Sequence, residues 1–515
     1  MRTVRMRIIA AVVVVLVAGV GGWRLWSSGG DKARIITVGT TDVVTSLDPA
    51  GTYDAGSWAL YSNVFQSLLT FEPGGVDPVP DAAESCAFDG DQTYRCELRG
   101  DLTFASGAAV RAEDVKHSFD RIKAIGAEKG PAPLFIQLDR VEADGLTVTF
   151  HLSSPDATFP HKVATGAGSI VDRASYPADE LRSGGKVDGT GPYTLAAYDE
   201  GESVKLEPNP RYRGANEQPS TAAVLRYYED SDQLNAAWQK GRIDVAARQM
   251  PPSLLSGLTP ASKEIRVTEV GGTDIRTLVL NVREQSPMSE PKVRQAVAAL
   301  IDRGKLADRA YHGTVEPLYS LIPSGLTGHS VAFFEEYPKP DPDRARKLLQ
   351  DAGVSVPVTF SLAYSNGAAS KEEAAELTQQ LEKGGLFEVR PEFYEWEAFL
   401  DGFTKGEFDA YAVGWTADFP DPDNFTGPLV GSESSLKSGY QNKKIDRLVR
   451  ESQQYTERGR ASDDLKEIQE IVARDVPLVP LWQRKEYVLS THEISGSQYL
   501  SDGTGSFRLW ALGWI

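Results

Sequence analysis

The sequence of 515 residues predicts an α/β protein, and three observations lead to this prediction. Short apolar segments typical of strands alternate with amphipathic segments typical of helices along the chain. No Pro/Ser-rich linker divides the chain into independent domains, and no internal repeat is evident. We therefore expect lobes that the chain crosses more than once.

The first thirty residues predict export from the cytoplasm. Arg2, Arg5 and Arg7 precede an uncharged apolar run, Ile8–Trp23, as in an export signal. The run has no clear cleavage site, and no cysteine follows it as a lipoprotein would require. We expect residues 1–30 to form a signal-anchor and linker that tether the body to the outer face of the cytoplasmic membrane. A cleaved, secreted form is the alternative.

Four segments predict strands. Arg34–Gly39 is rich in β-branched residues, whereas Thr147–Leu152 and Phe408–Val413 alternate at the period of two that a half-buried strand shows. Leu278–Val282 predicts a further strand.

Three segments predict helices. Glu113–Arg121 is the shortest; Pro291 opens the second, and Asp341 caps the third, which ends at Gly353. In each, the apolar side chains recur at helical spacing and form one stripe. The stripes are Val115, Phe119 and Ile122; Val293, Ala296, Val297, Leu300 and Ile301; and Ala345, Leu348 and Leu349.

The chain has two cysteines, Cys86 and Cys96, on either side of a turn signal at Asp89-Gly90. A hairpin around that turn places them opposite each other, within disulfide reach. An exported protein favours the bond, and two buried free thiols are the alternative. A metal site is not expected, because no second Cys or His pair stands at ligand spacing.

Composition and motifs exclude several function classes. The formal net charge of -18 argues against recognition of nucleic-acid phosphates. The chain has no H-E-x-x-H, no G-x-S-x-G and no Walker-A loop. We predict no catalytic residues, no cofactor and no metal.

The segment Gly414–Phe425 combines aromatic and acidic residues directly after a predicted strand. Loops at strand ends are where α/β folds place ligand contacts. A carboxylate beside Trp415 can pair with an ammonium group there. The alternative is that Asp418, Asp421 and Asp423 cap turns and a helix start.

At this segment the sequence resembles the large oligopeptide- and dipeptide-type solute-binding proteins of ABC importers, solute-binding family 5. The resemblance covers nearly all of residues 35–515 and rests on motifs that occur in the family's order. They are Ser46–Ala50, Leu98–Phe104, Ala112–Phe119, Gly189–Tyr193 with Asn209–Tyr212, Val293–Ala296 with Ile301–Arg303, and Gly439–Asp446.

The resemblance implies a two-lobed periplasmic-binding-protein fold (type II, large oligopeptide-binding class) with a hinge. Residues 31–271 and 485–515 are expected to form lobe I, with an extra subdomain at about 50–188. Residues 272–484 are expected to form lobe II. The implied function is an extracytoplasmic receptor, acting as a monomer, that delivers short peptides to ABC permease subunits without catalysis.

The resemblance also implies ligand-binding residues. Asp418 matches the carboxylate that holds a peptide's α-ammonium, and Trp415 and Thr416 line the same wall. The glycines of Gly189–Tyr193 are expected to shape a turn near the hinge. Dipeptide-specific members carry an arginine in the stretch corresponding to Leu362–Gly367, and none stands here. Longer peptides, an oligosaccharide, an opine or a metal chelate therefore stay open as ligands, and a cell-surface enzyme or sensor is a more distant alternative.

Overall fold

The computed structural model describes residues 34–258, 265–501 and 504–515. The predicted signal-anchor and linker over residues 1–30 lie outside them. Within the described ranges, no helix combines the length and the apolar character that crossing a membrane requires.

Strands and helices alternate through most of the described chain. The strands are β1 Ile36–Thr40, β2 Leu69–Phe71, β3 Pro78–Pro80, β4 Ala83–Phe88, β5 Thr93–Leu98, β6 Leu138–Asp144, β7 Thr147–Leu152, β8 Tyr193–Asp199, β9 Ser203–Pro208, β10 Ala223–Tyr227, β11 Val245–Ala246, β12 Ile265–Leu280, β13 Val315–Pro317, β14 Val358–Tyr364, β15 Phe387–Phe393, β16 Ala410–Trp415, β17 Leu478–Thr491, β18 Ile494–Ser495 and β19 Gly513–Trp514. The helices are α1 Ala55–Val64, α2 Ala112–Ile125, α3 Phe159–Val163, α4 Ser231–Gln239, α5 Pro252–Leu255, α6 Pro291–Ala298, α7 Arg303–Tyr311, α8 Ala332–Glu336, α9 Pro342–Asp351, α10 Ser370–Glu382, α11 Trp396–Lys405, α12 Asp423–Val430, α13 Lys443–Ser452 and α14 Ser462–Asp475.

One large mixed sheet runs through the molecule in the order β15-β14-β16-β12-β17-β11-β1-β10-β9-β8, with β13 paired to β17. Its two longest strands, β12 and β17, pair antiparallel along most of their length. A separate four-stranded sheet, β4-β5-β7-β6, is inserted in the first half of the chain.

Two large hydrophobic cores flank the long strand pair. One is built from residues between 275 and 482, and the other from residues 36–247 and 488–512 together with Phe419. The register of β12 against β17 breaks between Gly271 and Ile275, at the point where the pair passes from one core to the other. The predicted lobe boundary at 271/272 falls in this break. The boundaries themselves stay a prediction.

The predicted elements are found with small shifts. The strand Thr147–Leu152 has its predicted bounds, whereas the first strand begins at Ile36, two residues later than expected. The segment predicted as Leu278–Val282 is the end of the much longer β12. Gly271 and Gly272 weaken the local strand signal before it, and pairing with β17 overrides that weakness.

The glycines of the Gly189–Tyr193 motif allow close packing. A Cβ at Gly189 would overlap the carbonyl oxygen of Val64, and one at Gly191 would lie 2.6 Å from the carbonyl oxygen of Asn63. Both carbonyls belong to α1, so the two glycines let this segment lie directly against that helix.

A buried ion pair explains the Ser46–Ala50 motif. Arg121 donates to both oxygens of Asp48, through Nη1 at 2.5 Å and Nη2 at 2.8 Å, and both side chains are 1% exposed. The Asp48 carboxylate also accepts the backbone N–H groups of Ala50 and Arg182. Such a fully bonded pair fixes the packing of the motif against α2.

The two cysteines lie opposite each other on β4 and β5 and are joined by a disulfide bond, with Cα atoms 4.1 Å apart. The bond closes a short loop, so we expect it to stabilise the fold by roughly 3 kcal/mol through the entropy of the unfolded chain. Replacing Cys86 and Cys96 together by Ala is expected to lower the free energy of unfolding by about that amount. Urea denaturation with and without a reductant tests this, since equal stability of the wild type under both conditions would contradict it.

Candidate functional site

A cavity of about 260 Å³ lies against the β12–β17 pair, between the two cores. Residues that precede β12 in the chain and residues on or after β12 both line it. The lining residues include Arg248, Gln249, Met250, Asp274, Arg276, Tyr311, Asn366, Gly367, Ala368, Trp396, Trp415, Thr416, Trp482, Arg484, Glu486 and Tyr487. Polar and aromatic side chains that converge on one enclosed space are typical of small-molecule sites.

A wider cleft of about 800 Å³ shares several of these lining residues, among them Gln249, Pro252 and Asn366. Its wall is acidic. The carboxylates along it are those of Glu229, Asp230, Asp232 and Glu372. A solute that passes through this cleft therefore meets a negative surface, which favours cationic groups.

The predicted site residues separate into two groups. Trp415 and Thr416 line the cavity, and Trp415 Nε1 donates to the backbone oxygen of Asn424 at 2.9 Å. Asp418 is not among the lining residues. Its carboxylate accepts from Tyr53 Oη at 2.5 Å and from Asn424 Nδ2 at 3.1 Å.

The hydrogen bond between Tyr53 and Asp418 joins two parts of the chain that are 365 positions apart. Burial raises the pKa of the Asp418 carboxyl, and the Tyr53 and Asn424 hydrogen bonds oppose that shift. Burial and the neighbouring Asp418 likewise raise the pKa of Tyr53. Tyr53 therefore stays a neutral donor, and its hydrogen bond falls on Oδ2, the same Asp418 oxygen that Asn424 bonds.

Glu373 accepts hydrogen bonds from three side chains that line the cavity. It is fully buried and accepts from Arg276 Nε at 2.8 Å, from Tyr311 Oη at 2.9 Å and from Trp482 Nε1 at 2.7 Å. Three donors on one carboxylate hold these side chains in fixed positions around the cavity. The wall is thus preorganised for a ligand.

Three buried polar atoms on lining residues have no hydrogen-bond partner among the described residues. They are Nη2 of Arg276, Oδ1 of Asp274 and Nε of Arg484, of which the last still lies 3.0 Å from Asp274 Oδ2 in an ion pair. An unpaired donor and an unpaired acceptor cost free energy in the empty protein. A ligand that carries both a carboxylate and an ammonium group can satisfy both.

Sequence reasoning did not find Arg276, Asp274, Glu373 or Glu486. The available signal was a run of polar residues, Gln483–Glu486, inside an otherwise apolar strand. Such residues on a central strand must face either solvent or a polar cavity.

The Asp421 and Asp423 side chains lie in a second buried cluster, away from the cavity. Arg458 donates to Asp421 through Nε at 2.7 Å and Nη2 at 2.9 Å, and its Nη2 lies 2.8 Å from Asp423 Oδ2. Ser452 Oγ donates to Asp423 Oδ1 at 2.8 Å. Burial, then the neighbouring Asp421, raise the pKa of Asp423 to about 7. These acids stabilise the loop and the start of α12, as the alternative interpretation of this segment proposed.

The same loop reaches the other core. Phe419 is buried in it, with its ring 5.8 Å from that of His161, and Ala157 N donates to the backbone oxygen of Gln453 at 2.8 Å. Burial lowers the pKa of His161. The two cores therefore also meet through apolar and backbone contacts of this loop.

In the described ranges, no group of three His, Cys, Asp or Glu side chains is placed to hold a metal ion.

Comparison with known proteins identifies the fold. The model of the family "Bacterial extracellular solute-binding proteins, family 5 Middle" matches residues 77–436. "Probable D,D-dipeptide-binding periplasmic protein DdpA" of Escherichia coli (strain K12) is 28% identical over 478 residues, which cover 90% of this chain and 91% of that protein. "Di/tripeptide-binding protein 1" of Pseudomonas aeruginosa is 26% identical and covers 82% of this chain and 84% of its own length.

Solved structures agree with the predicted architecture. The periplasmic binding protein DppA from Helicobacter pylori, in complex with peptide STSA, matches with a TM-score of 0.79 at 23% identity, covering 93% of this chain and 98% of that one. Haemophilus influenzae OppA in complex with RPPGFSPFR matches with a TM-score of 0.76 at 22% identity, covering 94% and 99%. The predicted two-lobed α/β fold and the predicted family are thereby confirmed. The chain belongs to family 5 of the bacterial extracellular solute-binding proteins.

Proposed function

We propose that this protein is an extracytoplasmic receptor that captures short peptides between its lobes and delivers them to the permease subunits of an ABC importer. The observation that carries the proposal is the cavity along β12 and β17, because both sides of the molecule line it and it holds unpaired polar atoms of both kinds. The names of its relatives, which describe binding of dipeptides and tripeptides, support a peptide as the ligand.

The ligand is a short peptide of a few residues. The cavity volume of about 260 Å³ lies near the lower end of the ~300–1,000 Å³ that small-molecule sites span. The missing arginine in Leu362–Gly367 does not leave the cavity without a cationic donor, since Arg276 Nη2 on β12 has no acceptor among the described residues. A peptide's C-terminal carboxylate fits that group.

Trp415 and Thr416 form the wall that the peptide backbone follows. Asp418, two positions further on, receives the α-ammonium group through Oδ1, since Tyr53 and Asn424 both donate to Oδ2. The protein acts as a monomer and without catalysis. Residues 1–30 keep it at the membrane that contains the importer.

Replacing Asp418 with Ala is expected to weaken the binding of free-amine peptides by about tenfold or more, because a charge-assisted contact contributes roughly 1.5–3 kcal/mol. Isothermal titration calorimetry with mixed peptides of two to five residues measures this. Asp401→Ala is the matched control, since Asp401 lies on α11 with its side chain 75% exposed. Unchanged affinity in the Asp418 variant would remove Asp418 from the site, and no binding to the wild type would overturn the peptide ligand.

A further inference from the structure

Glu486 is the one carboxylate on the cavity wall that has neither a hydrogen bond nor an ion pair within the described parts of the chain. It lies on β17, is 4% exposed and lines the cavity. A buried carboxylate without a partner is costly, and proteins keep such groups where a ligand or a reaction uses them.

The nearest cations are already paired. Arg248 Nε lies 3.1 Å from Asp42, and Arg484 Nε lies 3.0 Å from Asp274. Arg248 and Arg484 lower the pKa of Glu486 through their charges, but burial, the largest influence, raises it overall. The surrounding arginines therefore compensate the Glu486 charge only in part.

The other acidic groups at the site differ from Glu486 in this respect. Glu373 has three donors, and Asp418 accepts from Tyr53 and Asn424. The cleft beside the cavity carries the additional carboxylates named above. An incoming cation thus passes a negative surface and ends at a carboxylate that lacks a partner.

We propose that Glu486 binds a cationic nitrogen of the ligand, an ammonium or guanidinium group, at the β17 wall of the cavity. The nitrogen comes either from a basic side chain, with the α-ammonium group held by Asp418, or from the α-amino group itself, in which case Glu486 replaces Asp418 as its acceptor. This proposal rests on the cavity being the ligand site, as the proposed function has it, and adds a residue that discriminates between ligands. A purely structural Glu486, which only balances Arg248, would instead be needed for stability.

The test uses the full chain and the variant Glu486→Gln, which removes the charge and keeps the shape. Glu269→Gln is the matched control, because Glu269 lies on the neighbouring strand β12, pairs with Lys485 at 3.0 Å and does not line the cavity. The probes are Ala-Ala-Ala, N-acetyl-Ala-Ala-Ala and N-acetyl-Ala-Lys-Ala, and calorimetry gives their affinities.

If the α-amino group is the source, acetylation of Ala-Ala-Ala weakens binding to the wild type by about tenfold or more, and the Glu486 variant loses this difference. If a side chain is the source, N-acetyl-Ala-Lys-Ala binds the wild type more tightly than N-acetyl-Ala-Ala-Ala, and the variant again loses the difference. Discrimination that is the same in wild type and variant overturns the proposal.

Thermal unfolding without ligand provides a second readout. A cation-binding role and a purely structural role of Glu486 predict opposite shifts of the midpoint temperature. Removing a buried charge that its neighbours compensate only in part is expected to raise the midpoint temperature of Glu486→Gln above that of the wild type. A lower midpoint, together with unchanged peptide affinity, shows a structural role and overturns the proposal.

A failure of the peptide ligand can be told apart from a failure of Glu486. If no tripeptide binds the wild type, the proposed function fails, and the diamine putrescine then replaces the peptides in the thermal assay. Stabilisation of the wild type but not of Glu486→Gln supports the cation site. An equal effect on both proteins, including none, overturns it.

Discussion

Replacing Asp48 with Asn is expected to lower the free energy of unfolding by about 3–5 kcal/mol. The substitution leaves the Arg121 side chain, 1% exposed, without its counter-ion, and removing one partner of a buried pair leaves the other charge uncompensated. Chemical denaturation followed by circular dichroism measures the loss.

The control for this prediction lies on α2, the helix that carries Arg121. Asp120 pairs with Lys116 at 2.6 Å, but both side chains are more than 40% exposed, at 46% and 42%. Asp120→Asn is expected to change stability by less than about 1 kcal/mol, because exposed pairs contribute little. Similar losses in the two variants would show that burial of the Asp48–Arg121 pair does not determine its importance.

Replacing Arg458 with Met is expected to destabilise the fold by a similar amount, about 3–5 kcal/mol at pH 8. Arg458 is the cation between Asp421 and Asp423, and without it two neighbouring buried carboxylates repel each other. Lys444→Met is the control, because Lys444 pairs with Glu467 on the surface and each side chain is more than 40% exposed, at 47% and 41%.

The loss in the Arg458 variant is expected to shrink at low pH, since protonation removes the repulsion. In the wild type, the raised pKa of Asp423, about 7, means that the folded state holds this proton more tightly than the unfolded chain. The stabilisation that comes from protonated Asp423 is therefore fully present below about pH 4, and it is lost as the pH rises toward 7. A loss in Arg458→Met that does not vary between pH 5 and pH 8 would contradict this account.

Local signals in the sequence predicted much of the fold. The turn at Asp89-Gly90 predicted the hairpin that places Cys86 opposite Cys96, and alternation predicted β7 at its observed bounds. Such elements depend on neighbours in sequence, so their patterns are visible without a structure.

The site itself was predicted only in part. Trp415 and Thr416, predicted to contact the ligand, line the cavity, and their role in binding stays a prediction. The hydrogen bond from Tyr53 to Asp418 was not predictable from the sequence, because those residues are 365 positions apart. Glu486 reaches the cavity only through the register of β17 against β12, which no local pattern specifies.

The Ser46–Ala50 motif shows how a family resemblance and a physical explanation differ. The motif identified the family, and the structure adds that its aspartate serves packing rather than ligand contact, through Arg121, 73 positions away.

Native mass spectrometry of the full chain, purified without refolding, tests the central claim most directly. The account predicts co-purified peptides of mixed sequence and narrow length, because a ligand enclosed between two lobes is retained through purification. An empty protein that a mixed peptide library also fails to stabilise against heat would contradict the account.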